Sequence, residues 1–294
     1  GSDGVGIYSA VTSGSKGITI TGTSKNRVGV RLTSNLTSEG DVTIKGYGTN
    51  RGAVYVAGST VQADGNISIE GRTSGNTTTD NVAYGVAIEY NGNLIVTNKN
   101  TSTGNAISIV GALTNATGGT NIRGAVNLGG SITNNSSNGG NTSITAESEN
   151  IYAFAGTGGS GNPGYIGATI TNSSTAGKIT ITSGLDSNST GSVDFSKVVN
   201  ASNWGSNAKM TVTQNSGAGV EISTTGQGNV TAPLVVNNGA GNVVLAAGKK
   251  IQAGTGTGGQ VKATSNSTDS LVTQNSTGKT YIYSGNLTDT DRKS

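Results

Sequence analysis

The chain has 294 residues, of which 49 are glycine and two are proline; 11% are charged, 4% are aromatic, and cysteine and histidine are absent. A formal charge of +3 with no run of Lys or Arg leaves no electrostatic footprint for nucleic acid or a polybasic membrane contact. Without Cys there is no disulfide framework or thiolate metal site, and without His the commonest general base and the Ser-His-Asp and Cys-His nucleophile arrangements are gone. The length fits two ordinary domains or one solenoid. Gly, Asn, Ser and Thr turns around alternating Val and Ile clusters point to ordered all-β structure rather than disorder. No apolar run approaches the about 20 residues of a membrane-spanning helix. The opening Gly1-Ser2 has the look of a cloning remnant, which implies a segment of something longer.

In chain order, the first phrases are VGIYSAV from Val5, GITITGT from Gly17 and NRVGVRL from Asn26. They are followed by GDVTIKG (Gly40 to Gly46), NRGAVYV from Asn50 and GNISIEG (Gly65 to Gly71). In GDVTIKG the period of two puts Val42 and Ile44 on one face and Asp41, Thr43 and Lys45 on the other. Stacked in parallel one coil later, Ile67 falls on Val42, Ile69 on Ile44, and Glu70 beside Lys45 as a cross-coil charge pair. Looser copies follow: GNAISI from Gly104, GNTSI from Gly140, GKITI from Gly177, and, of the second phrase, NVAYGVAI from Asn81 and NIRGAVNL from Asn121.

At least two strands per coil of about 24 residues predict a parallel β-helix, right-handed by the resemblance given below, with Asn and Gly supplying left-handed corners. An antiparallel sandwich has no reason to repeat near-identical strands. Polar insertions lie between Gly71 and Asn81 and from Asn115 to Asn121. Residues 1–184 are expected to form regular coils. Residues 185–228, with the only Trp (Trp204) and the only Met (Met210), are expected to form an irregular segment or a bulkier coil. Residues 229–294 form further β-helix strands or a C-terminal module, where Ala232, Ala246 and Ala247 suit a narrow interior. About twelve coils at about 4.8 Å predict a spacer of about 58 Å.

GDVTIKG, GNISIEG, GNVVLAAGKKI from Gly241 and STGKTYIYSGNLTDT from Ser276 resemble the repeat region of filamentous-haemagglutinin-type adhesins. These are large exoproteins of two-partner secretion, and autotransporter passengers are similar in style. The family's secretion module is not apparent, since NPGYIG from Asn162 departs from its Asn-Pro-Asn signature. The resemblance implies a passenger segment, exported by an outer-membrane secretion partner and secreted or displayed on the surface of a Gram-negative bacterium. It would be a monomer that attaches to a host-cell glycan or protein receptor, or acts as the rigid stalk of the parent protein.

No enzyme is expected. The alternative is a polysaccharide-degrading β-helix lyase or hydrolase, which needs several carboxylates on adjacent coils. Asp41 stacks instead with the amide of Asn66, and Asp186, Asp194 and Glu221 are far apart in sequence. Calcium-binding nonapeptides are absent, no metal or cofactor is implied, and GTGTGGQ from Gly254 is a glycine turn rather than a dinucleotide loop. One surface constellation stands out. Aligning VGIYSAV, VGVRLTS and GAVYVAG stacks Tyr8, Arg31 and Tyr55 outward on three successive coils, with Ile7, Val30 and Val54 inward. Aromatic faces beside a guanidinium suit sugar rings and their carboxylate or sulfate groups; the same ladder also serves merely to cover the coil. Arg27, Arg51 and Arg123 recur beside it as a basic stripe or as solvated turn residues. Asn-x-Ser/Thr triplets begin at Asn35, Asn66, Asn76, Asn115, Asn172, Asn188 and Asn286. Thr-x-Thr phrases raise an ice-binding face, against which outward Lys, Glu, Arg and Tyr count.

Overall fold

The computed structural model of the chain describes residues 2–74, 83–89, 91–114, 123–154, 168–199, 210–251, 258–263 and 271–284. Alternation builds its strands: in β6 (Val42–Gly48) Val42 and Ile44 are buried while Thr43 and Lys45 face outward. Sheet A contains β1 (Val5–Ile7), β4 (Val30–Leu32), β7 (Val54–Val56), β10 (Ala83–Ile88), β13 (Arg123–Leu128), β16 (Asn150–Phe154), β19 (Val193–Val199), β22 (Val230–Ala232) and β25 (Val261–Ala263). Sheet B contains β2 (Val11–Ser13), β5 (Leu36–Ser38), β8 (Thr60–Ala63), β11 (Asn93–Val96), β14 (Ser131–Asn134), β17 (Thr169–Asn172), β20 (Thr211–Gln214), β23 (Leu234–Asn237) and β26 (Val272–Gln274). Sheet C contains β3 (Ile18–Ser24), β6, β9 (Ile67–Thr73), β12 (Asn105–Leu113), β15 (Asn141–Ala146), β18 (Lys178–Ser183), β21 (Gly219–Thr224), β24 (Asn242–Ala247) and β27 (Thr280–Ser284).

Every pairing is parallel, and each strand pairs with the one three elements later, so the chain visits sheets A, B and C once per coil. This is a three-faced parallel β-helix. The two repeated phrases fall on different faces, GDVTIKG and its copies on sheet C and the NRVGVRL series on sheet A. The register pairs Val42 with Ile67, Ile44 with Ile69, and Lys45 with Glu70, whose charges lie 3.9 Å apart.

Among the described residues the solenoid has nine coils rather than the expected twelve or so, because the coil length is not constant. Cross-coil partners are 24 residues apart at Asn26 and Asn50, 41 apart at Thr182 and Ser223, and 23 apart at Asn215 and Asn238. At about 4.8 Å per step, nine coils span about 38 Å. Strands β19 to β21, within residues 185–228, extend the same three sheets, and Met210 is buried; Trp204 lies outside the described residues.

Inside, a column runs from Ile44 through Ile69, Ile109, Ile144, Ile181 and Ile222 to Leu245, all buried. Each such side chain contributes about 1.5–3 kcal/mol by leaving water. A second interior column is polar: Asn134, Asn172, Gln214 and Asn237 pair in turn and are fully buried, and Gln274 follows. Asn134 Nδ2 donates to the Gly140 carbonyl at 2.8 Å, Gln214 Nε2 to that of Gly177 at 2.8 Å and Asn237 Nδ2 to that of Gly241 at 2.6 Å. These amides thus satisfy backbone carbonyls in the turns from sheet B to sheet C.

The corners depart from expectation in one respect. Among the described residues the only positive φ outside glycine belongs to Glu149, so Asn does not supply left-handed corners. Its amide instead bridges coils: Asn35 Oδ1 accepts from the Thr60 N–H at 2.8 Å, Asn141 Oδ1 from Lys178 at 2.8 Å and Asn242 Oδ1 from Lys279 at 2.9 Å. An amide that holds the neighbouring coil directly satisfies a donor that a left-handed turn would leave to water.

The closing Gly of the GDVTIKG phrase has a steric cause. A Cβ on Gly46 would stand 2.0 Å from the Ala53 carbonyl oxygen, where sheet C hands the chain to sheet A. We expect Gly46→Ala to destabilise the helix by about 1–3 kcal/mol in urea unfolding followed by circular dichroism. Gly14→Ala, whose Cβ meets nothing nearer than Glu39 Oε2 at 3.6 Å, should be neutral or slightly stabilising. Equal midpoints for the two variants would show that this corner yields.

Candidate functional site

The outward face of sheet A in the first coils carries the predicted residues. In β4 and β7, Val30, Leu32, Val54 and Val56 are fully buried, which turns Arg31 and Tyr55 outward, and the register pairs these two directly. The Arg31 guanidinium carbon lies 5.0 Å from the Tyr55 ring centre, a cation–π distance.

Tyr8 does not occupy the expected rung. Strand β1 pairs Val5 with Val30, Gly6 with Arg31 and Ile7 with Leu32, so Val5 rather than Ile7 continues the Val30–Val54 column. The sequence offers two glycines, Gly4 and Gly6, as the corner mark, and the one that sets the register is the one facing sheet C. Gly4 matches Gly29, and a Cβ on Gly4 would be 2.4 Å from the Thr23 carbonyl oxygen. The Tyr8 ring nevertheless folds back over the empty position: a Cβ on Gly6 would be 2.4 Å from Tyr8 Cε2. Tyr8 therefore covers the residue paired with Arg31 while remaining 64% exposed.

Asp3, which the sequence reading passed over, ties the group together. Its Oδ2 accepts from Arg31 Nε at 2.8 Å and from the Tyr8 hydroxyl at 3.2 Å, and its Oδ1 accepts from the Val28 N–H at 3.2 Å. Burial works against the Arg31 charge, but Asp3 together with Tyr84 and Tyr55 outweighs it and the guanidinium is held above its ordinary pKa. On the other side the Tyr55 hydroxyl donates to Glu89 Oε2 at 2.8 Å, and the Tyr84 ring stands 5.9 Å from that of Tyr55. Tyr84 fills the space above Gly52, where a Cβ would be 1.9 Å from its Cε2. Burial pushes the Tyr84 hydroxyl well above the ordinary tyrosine value; burial, with Asp194 and Glu149, pushes Tyr152 up to about 12. Both remain neutral phenols at physiological pH. The visible signal for Tyr84 was its place in NVAYGVAI; Asp3 and Glu89 lie outside the repeated phrases.

The other predicted features disperse. Arg27 is exposed at a turn and Arg51 is half-buried, while the side chain of Arg123 lies outside the described residues. Asp194 is on sheet A, Glu221 on sheet C and Asp186 in the corner between them, and among the described residues no three acidic side chains cluster as a metal site would require. Of the Asn-x-Ser/Thr positions, Asn35 and Asn188 are exposed, Asn66 is half-buried and Asn172 is fully buried in the amide column; Asn76, Asn115 and Asn286 lie outside the described residues. The Thr-x-Thr phrases do form a grid: Ser131 and Thr133, Thr169 and Thr171, and Thr211 and Thr213 stack in three successive coils of sheet B. The charged and aromatic neighbours that counted against such a grid stand on sheets A and C.

On sheet C the charges are tied. Arg72 holds Glu70 at 2.6 Å and both oxygens of Glu147, and Glu221 accepts from Lys178 at 2.6 Å and from Lys249. Burial raises the Glu221 carboxyl, but the two lysine hydrogen bonds outweigh it and leave the group below its ordinary value. A folded pKa depressed in this way contributes stability that is full above the unfolded value and is lost as pH falls through the folded one. Glu221→Gln should therefore lower the thermal midpoint at pH 7, and its difference from the unmutated chain should narrow below about pH 4.3. A constant difference across that range would remove Glu221 as the cause. No protein-family model, no curated protein and no solved structure matches this chain, so the functional reading rests on its own faces.

Proposed function

We propose that the chain is a passenger segment of a surface-exposed bacterial adhesin that attaches to a host-cell glycan or protein through sheet A. The observation that carries this reading is the exposed Tyr8 ring, held over Gly6 beside the Arg31–Asp3 pair at one end of a stack of coils. Aromatic faces with hydrogen-bonding groups at their edge recognise sugar rings and peptide side chains alike. A parallel β-helix gives such a platform a stiff support. Many copies on one cell would multiply a weak single contact. Export through an outer-membrane partner to the surface of a Gram-negative bacterium, and a monomeric state, belong to the same reading and follow from the family resemblance of the repeats.

The polysaccharide-degrading alternative draws no support from the carboxylates of the faces. Asp3, Glu70, Glu147 and Glu221 are each held by arginine or lysine, and Asp64 is held low by hydrogen bonds from Lys99 and Thr97. A general acid working near neutral pH needs a carboxyl raised, not lowered.

The test is binding of the purified chain to a glycan array and to epithelial cells, beside Tyr8→Ala. Because Tyr8 is mostly exposed, the variant should keep its circular dichroism spectrum while losing about tenfold in affinity, the equivalent of about 1.4 kcal/mol. Binding that survives Tyr8→Ala would move the site elsewhere. Absence of binding by the unmutated chain would leave it the role of a rigid stalk.

A further inference from the structure

Resting on that reading, we propose that the Tyr8 face selects uncharged glycans and discriminates against sialylated and sulfated ones. The sequence pattern offered Arg31 as an anchor for sugar carboxylates or sulfates. The geometry gives that role away. Arg31 Nε is already bound to Asp3 Oδ2 at 2.8 Å, the pair is internally neutral, and only 26% of the Arg31 side chain is exposed. Its guanidinium carbon also lies 5.0 Å from the Tyr55 ring centre, so the group is engaged by a carboxylate and by an aromatic ring at once.

An incoming anion would have to displace Asp3 from Arg31. Asp3 is itself pinned, accepting from the Val28 N–H through its other oxygen and from the Tyr8 hydroxyl, and its side chain is 10% exposed. Removing one partner from a largely buried, hydrogen-bonded pair leaves an uncompensated charge, an expensive exchange. The next acidic group along the face, Glu89, sits at the Tyr55 hydroxyl and adds negative charge. An exposed cation, Arg27, stands in the turn one residue before Val28.

A neutral pyranose meets no such obstacle. Its apolar face can stack on the exposed Tyr8 ring, and its hydroxyls both donate and accept, so they can bond to the rim of the Asp3–Tyr8–Arg31 cluster without breaking it. Asp3 is thus a specificity-determining residue: it consumes the charge that would otherwise recruit anionic sugars.

The experiment compares one oligosaccharide in neutral and sialylated forms, titrated by surface plasmon resonance against the unmutated chain, Asp3→Asn and Arg27→Ala, with folding checked by thermal melts. The unmutated chain is expected to bind the neutral form at least about fivefold more tightly, and Asp3→Asn, which frees the Arg31 charge, to shift that ratio toward the sialylated form. Tighter binding of the sialylated form by the unmutated chain, lost in Arg27→Ala, would overturn the selectivity and leave the adhesin reading intact. An unchanged ratio in a folded Asp3→Asn chain would overturn the role given to Asp3. Failure to bind either form would sink this inference together with glycan recognition by this face.

Discussion

Where sheet C hands the chain to sheet A, the backbones pass so closely that a Cβ has no room, and much of the molecule follows from that constraint. A Cβ on Gly22, Gly46, Gly71 or Gly111 would stand 2.0–2.2 Å from the carbonyl oxygen of Gly29, Ala53, Gly85 or Ala125 in turn. Small residues therefore face small residues across the corner in four successive coils. Once this point is fixed, the next residue on sheet A is an inward valine, Val30, Val54, Val86 or Val126, and the one after it faces outward. Arg31 and Tyr55 are outward because of a contact on the far side of the corner. From the fifth coil the column changes to Ala146, Ser183 and Thr224, and the hydroxyls do what close contact did before. Ser183 Oγ donates to the Glu149 carbonyl at 2.8 Å and Thr224 Oγ1 to that of Gly228 at 2.7 Å.

The turn from sheet B to sheet C is solved by different chemistry. In the early coils the position is taken by Ser38, Ala63 and Val96; from Asn134 onward it is an amide. Burying an amide without partners is costly, so such a column persists where its groups find carbonyls and N–H groups of the turn. Most do, while Asn172 Nδ2 and Gln214 Oε1 find none among the described groups. Register along the column survives changes of coil length from 23 to 42 residues, as between Gln214 and Asn237 and between Asn172 and Gln214, because extra residues enter between strands and leave the stacked positions alone.

This division explains what the sequence made legible. Period-two alternation and the recurrence of GDVTIKG as GNISIEG were sufficient for a parallel solenoid, down to Lys45 beside Glu70, since both signals are local and repeat on neighbouring strands. The coil count was overestimated because insertions change the period without changing the strands. The amide column was missed although NNSS, NSST, QNSG, NNGA and QNST recur from Asn134 to Gln274; they read as ordinary turn residues until an interior is placed beside them. For the site, Arg31 and Tyr55 were placed correctly from their strands. Tyr8 was placed two residues out of register because Gly4 and Gly6 compete as the corner mark, and only a clash distance tells them apart. Asp3 precedes the first strand, where no periodicity reaches.

Over the first four coils the tyrosines at sheet A sink, Tyr8 being mostly exposed, Tyr55 half-buried and Tyr84 buried, before Tyr152 in the sixth coil is half-buried again. Tyr8 bonds back to Asp3 and Tyr55 forward to Glu89, so both of these rings are fixed by a carboxylate rather than left to swing. A ligand that stacks on this face meets one open ring backed by a guanidinium and a second ring beneath it. On sheet C, Arg72 reaches over the small Ala112 to Glu147, and Glu221 joins lysines from two other stretches, so the charges there hold coils to one another. The half-exposed Arg72 pairs contribute little individually, whereas Glu221, with only 11% of its side chain exposed, is the group whose neutralisation costs stability. The columns that keep the solenoid folded thus lie apart from the outward Tyr8–Arg31 face, and a substitution at Tyr8 leaves them untouched.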